Sequence, residues 1–105
     1  MVKRPKTGQD VLEYEILGEQ AATIGRLSRE LRESLDALKA FDERAGGSID
    51  RRDPQRLSLV DAAGYALFNF IVQRDCSGLG GTEHVLKQYA VPAEVRARMG
   101  VTKPR

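Results

Sequence analysis

No proline stands between Lys6 and Asp53, and within that stretch apolar residues return at fixed intervals. Leu17, Ile24, Leu31 and Leu38 recur every seven positions, while Tyr14, Ala21, Ser28 and Leu35 fill the alternate places at spacings of three and four. A helix gathers such positions onto one stripe, whereas a strand scatters them over both faces. The pattern is a heptad seam held for about four repeats, the signature of a long helix that packs against another. The opposite face carries Glu19, Arg26, Arg29, Glu30, Glu33 and Lys39. Arg26–Glu30, Arg29–Glu33 and Arg32–Asp36 are i,i+4 pairs, each worth about 0.3 kcal/mol. Thr7 is placed to cap this helix, and Asp10 lies where the helix dipole favours a carboxylate. Gly46 and Gly47 end it. From Gly8 to Ala45 such a helix is about 57 Å long.

Two glycines, Gly18 and Gly25, interrupt the helix seven residues apart. Each costs about 1 kcal/mol against alanine. Their spacing matches the seam, so the reading favoured here is close approach of a second helix, the other being a gentle bend.

Ser48 to Arg56 is a polar loop ending in Asp53-Pro54, a cap followed by proline at the first helical position. Ser58 with Asp61 is a second candidate start. From Leu57 to Val72 the chain is apolar on nearly every side, the mark of a buried helix, and Leu67 and Ile71 are expected deep in the core. The helix is expected to end at about Asp75. Gly64, in line with Leu57, Val60, Leu67 and Ile71, suits a close crossing against Gly18 or Gly25. Beyond the glycine-rich 77–81 stretch, Thr82 caps a short helix from Glu83 to Tyr89, and Pro92 starts another through Met99. Val85, Leu86, Tyr89, Val95 and Met99 are the inward residues. The expected fold is all-α, one helical domain over residues 1–105, with 1–7 and 101–105 as frayed tails.

Composition bounds the chemistry. The chain has 105 residues with 41% hydrophobic, no Trp, and only three Tyr and three Phe, so the core is aliphatic. A single Cys excludes an intrachain disulfide and a multi-cysteine zinc site. No apolar run reaches the roughly 18 residues of a membrane span, and Met1 to Asp10 lacks the apolar stretch of a signal peptide. The expectation is a cytoplasmic protein without a membrane or cofactor role. The net charge is +2, but the ends are basic: +3 before Thr7 and +4 after His84 leave −5 between them.

Three segments invite a chemical reading. Cys76 and His84 are the only residues of their kinds and lie eight apart across the glycine-rich turn. A thiolate needs a base or a helix N-terminus to lower its pKa, yet that same N-terminus disfavours an imidazolium, so no functional pair is expected. Gly78 to Thr82 lacks the lysine of a phosphate-binding loop and no strand precedes it, which leaves an interhelix turn. Residues 83–99 have the outline of a helix-turn-helix, with Lys87, Arg96, Arg98 and Lys103 as candidate phosphate contacts. Against it stand a second helix of only about eight residues and a turn without glycine.

The expectation is therefore a long first helix packed on a buried second helix, two short C-terminal helices, and a bundle completed by dimerisation. Leu17, Ala21, Ile24, Ser28, Leu31, Leu35 and Leu38 are the expected dimer interface. The expected role is a non-enzymatic interaction module, and the alternative is a DNA-binding regulator using segment 83–99 and the basic C-terminal tail.

Overall fold

The computed structural model describes residues 8–100, which form four α-helices and no strand. The helices are α1 (Gly8–Arg44), α2 (Pro54–Cys76), α3 (Thr82–Gln88) and α4 (Ala93–Arg98). Thr7, Lys103 and the two tails lie outside the described residues.

The first helix forms where the heptad seam places it, as an unbroken run of 37 residues despite Gly18 and Gly25. It stops where Gly46 takes φ +65°, a backbone state open to glycine at no steric cost. The Gly46 N–H then donates to the carbonyl of Glu43, at 3.2 Å. The second helix starts at the Asp53-Pro54 signal and not at Ser58. The Asp53 carboxylate accepts from the N–H groups of Gln55 at 2.8 Å and Arg56 at 3.4 Å, satisfying donors that the first turn leaves open. Arg56 therefore belongs to a helix and not to the preceding loop. Thr82 opens α3 without capping it, since Gly81, at φ +77°, occupies the cap position with no side-chain bond.

The second helix runs back antiparallel along α1. The end of α1 meets the start of α2 at Asp42 and Arg56, and Glu30, Ser34 and Ala37 share one shallow groove with Leu59, Ala62 and Ala66. The core between them holds Leu27, Leu31 and Leu38 from α1 with Val60, Ala63, Ala66, Leu67, Phe70 and Ile71 from α2. Val85 of α3 and Val95 of α4 close it, and Ile24, Leu35, Leu86, Tyr89 and Met99 pack on its edge. Leu67 is fully buried and Ile71 nearly so, as their sequence setting implied. Burial of the whole second helix does not occur: Leu57, Tyr65, Phe68 and Val72 face outward. An all-round apolar sequence needs neighbours on every side, and a chain with three other helices supplies them on only part of the circumference.

Gly64 admits a close neighbour, but that neighbour is α4. A Cβ on Gly64 would stand 2.9 Å from the Cβ of Arg98 and 3.0 Å from its carbonyl carbon. Gly18 has no atom within 4 Å of the equivalent position, and Gly25 meets only the side chain of Arg29 in its own helix. Neither is a crossing point within the chain. The α-carbon radius of gyration is 17.4 Å and the longest extent 60 Å, whereas a compact chain of this length has about 13 Å. The excess comes from the first helix, about 55 Å long, running past the second, about 34 Å long.

Three substitutions test this packing. Leu67→Ala should lower stability by about 2–5 kcal/mol. Gly64→Ala should destabilise by about 1–3 kcal/mol, since the Arg98 backbone cannot yield. Gly18→Ala should stabilise by about 1 kcal/mol by removing a helix-interior glycine. Urea melts of the three variants check the two signs together.

Candidate interaction surface

The length mismatch divides the heptad seam in two. Every residue from Asp10 to Glu19 is exposed, and the first fully enclosed seam-side residue is Leu27. Leu17 is 63% exposed while Leu31, on the same stripe two heptads on, is at 0%. Among the residues expected at a dimer interface, Leu31 and Leu38 are thus consumed by the core of their own chain and have no surface for a partner. Leu35, Ser28 and Ile24 are half-buried, the Ser28 hydroxyl being hydrogen-bonded to the phenol of Tyr89. Leu17 and Ala21 alone lie open. They are joined by Tyr14 of the same repeat and by exposed residues that the repeat did not select: Val11, Leu12 and Ile16.

This overhanging segment of α1 is apolar and acidic. Between Gly8 and Gly25 it holds Asp10, Glu13, Glu15 and Glu19 and no Lys or Arg. Its partner-free apolar side chains stand against the usual economy of a surface helix, which turns such residues inward. A second exposed apolar stripe, Tyr65, Phe68 and Val72, runs along the outer side of α2 at spacings of three and four. The chain just beyond α4 borders it: a Cβ on Gly100 would stand 3.6 Å from the Phe68 ring.

The opposite end of the molecule carries its densest electrostatics. Arg56 is buried, and its guanidinium bridges three elements. Nε and Nη2 donate to the two carboxylate oxygens of Asp42 at 2.8 and 3.0 Å. Nη1 and Nη2 donate to Glu94 at 2.6 and 3.0 Å, and Arg51 pairs with the same Glu94 from outside. The Arg56 hydrogen bonds hold the Asp42 and Glu94 carboxyls below their ordinary range, and the two carboxylates hold Arg56 firmly charged. A groove of about 670 Å³ opens above the cluster, lined by Leu35, Lys39, Ile49, Tyr89 and Pro92 among others. No Ser, Cys or His lines it. Carboxylates kept ionised by a bound guanidinium are poorly set to give up a proton at neutral pH. The cluster reads as a clamp between α1, α2 and α4.

The C-terminal helices hold Lys87 and Arg96 in the open. Arg98 instead donates from Nε to Asp61 at 2.6 Å and lies across Gly64. Of the four residues expected to contact phosphate, two are exposed, one is tied to α2, and Lys103 lies outside the described residues. Ala90 takes φ +50° in the turn between α3 and α4, a left-handed state usually given to glycine. Cys76 and His84 are each exposed at the two sides of the glycine turn, which Arg74 braces through a bond to the carbonyl of Gly80 at 3.0 Å. Among the described residues no group of three or more His, Cys, Asp or Glu is arranged to hold a metal ion, and no helix is long and apolar enough to cross a membrane.

A long helix braced by a shorter antiparallel partner and latched by two short helices defines a small all-helical protein with an open N-terminal arm. The chain belongs to the family of unknown function DUF6665, whose profile matches residues 1–104. Comparison with curated proteins and with solved structures finds no match.

The clamp generates a stability prediction. Asp42 and Glu94 have folded-state pKa values below their unfolded ones. Their contribution is complete above the unfolded values near pH 4 and is lost as pH falls through the lowered folded values. Thermal melts from pH 7 down to pH 2.5 should show the loss beginning below about pH 5. Arg56→Ala should cost about 3–5 kcal/mol at neutral pH, because it strands two carboxylates. Arg56→Lys should recover little, lacking the two-pronged geometry. Arg56→Ala should also flatten the acid dependence.

Proposed function

We propose that this protein is a non-enzymatic helical assembly module that acts as a homodimer, with the overhang of α1 as the contact that joins the chains. The observation that carries the reading is the exposure of Val11, Leu12, Tyr14, Ile16 and Leu17 on one projecting segment. So many large apolar side chains left open on one short segment, with Val11, Tyr14 and Leu17 following one another at spacings of three, mark an interaction site more often than an ordinary surface. The interface is narrower than the heptad repeat suggests: it takes Leu17 and Ala21, reaches Ile24 at its edge, and leaves Leu31, Leu35 and Leu38 to the single chain. The one cysteine, unpaired and exposed, suits a reducing compartment such as the cytoplasm.

The DNA-binding alternative has less support. Its second helix, α4, is six residues long, and Glu94 and Arg98 are engaged with Arg56 and Asp61. Lys87 and Arg96 are what it retains.

Light scattering at micromolar concentration tests the reading. The expected mass is twice the chain's 11.6 kDa, and a mass of one chain ends the proposal. Leu17→Glu should yield monomers that stay folded and melt cooperatively, because Leu17 lies outside the monomer core, and its melting temperature should not depend on protein concentration. Leu31→Glu should instead unfold the chain. A gel shift on duplex DNA that weakens steeply with salt would favour the alternative.

A further inference from the structure

The homodimer reading leaves open what the overhang touches, and resting on that reading we infer that it docks on the outer face of α2 and α4 in a second copy of the chain. By a two-fold axis the second copy returns the contact. Each dimer then contains two equal contacts, overhang on stripe, in place of one contact between two overhangs.

Area argues for this arrangement. The overhang is about 20 Å long and about 10 Å wide, so pairing two overhangs gives each chain a footprint of roughly 200 Å². Even twice that, to allow for side-chain relief, falls short of the ~800 Å² per partner of a standard specific interface. The seam cannot extend the contact, since from Leu27 onward its core-facing side is covered by α2. Reciprocal docking has each chain contribute its overhang and its Tyr65–Phe68–Val72 stripe. The area doubles, and both unpartnered apolar faces are covered at once.

Charge argues the same way. Glu13 lies on the overhang's apolar side, four residues before Leu17 and eleven before Ile24. Two overhangs pressed together along the seam would set the Glu13 carboxylates of both chains in one contact, on a segment that holds no Lys or Arg between Gly8 and Gly25. The face around Phe68 differs. Gly100 lies against the Phe68 ring, and Arg98 lies over Gly64 with its guanidinium on Asp61 and its side chain still 38% exposed. Arg96 is exposed on the same short helix. From Lys87 to the chain end the formal charge is +4, against −4 for the overhang helix. The basic residues Lys3, Arg4 and Lys6 precede that helix in the chain.

Sedimentation equilibrium on the full chain tests the arrangement with Tyr65→Glu and Leu17→Glu, each at the most exposed apolar position of its face. Circular dichroism melts confirm that each variant folds, and Tyr65→Ser replaces Tyr65→Glu if the latter does not. Reciprocal docking predicts that each variant raises the dimer dissociation constant at least tenfold. It also predicts that an equimolar mixture of the two associates more tightly than either alone, since one Leu17 overhang then meets one Tyr65 stripe. If Tyr65→Glu dimerises like the parent while Leu17→Glu does not, overhangs pair with each other: the inference fails and the dimer reading stands. If the parent is a monomer, both fail.

Discussion

The leucine seam of α1 has to be covered, and α2 is too short to cover it. Leu27, Leu31 and Leu38 find Val60, Ala63, Leu67 and Phe70 opposite them, and a fully buried aliphatic side chain contributes about 1.5–3 kcal/mol. That contact sets the antiparallel hairpin, fixes which face of α2 turns inward, and gives α3 and α4 a surface to close. The same contact runs out where α2 ends at Cys76. Beyond that point α1 continues as a helix with its apolar side in water, and the elongated shape, the open N-terminal arm and the assembly proposed for it all descend from this difference in length.

The charged clamp does a different job. Apolar packing is tolerant of small slips along a helix, whereas a guanidinium held by four directed bonds is not. Arg56 joins Asp42 near the end of α1 to Glu94 at the start of α4, and the Arg98–Asp61 pair repeats the tie one turn further along α2. Just beyond Asp61, Gly64 lets α4 come within contact distance of the α2 backbone. A helix of six residues has little stability of its own. It persists here because Val95 is buried and both of its ends are tied down.

Much of this was legible in the residues. The Pro-free heptad stretch places α1 to within a residue of its observed end, the Asp53-Pro54 cap marks the start of α2, and the apolar run around Leu67 and Ile71 marks the core. Other features were not. Arg56 reads as a loop residue because nothing local distinguishes a buried arginine from a solvated one; its burial depends on carboxylates 14 and 38 positions away. Gly64 announces a close approach but not the partner. Val11, Leu12 and Ile16 look like surplus beside the regular seam, yet they stand as open to water as Leu17 does.

By itself the sequence determined the helices, because periodicity, caps and breakers act within a few residues of one another. It also determined the stripe of α1 that seeks a partner and the aliphatic character of the core. Only the tertiary structure decided how that stripe is shared. Whether a seam residue is core or surface depends on where another helix ends in space, and that is set by the summed lengths of a turn and a second helix rather than by any local signal. The repeat treats Leu17 and Leu31 alike; one lies beyond the reach of α2 and the other beneath it.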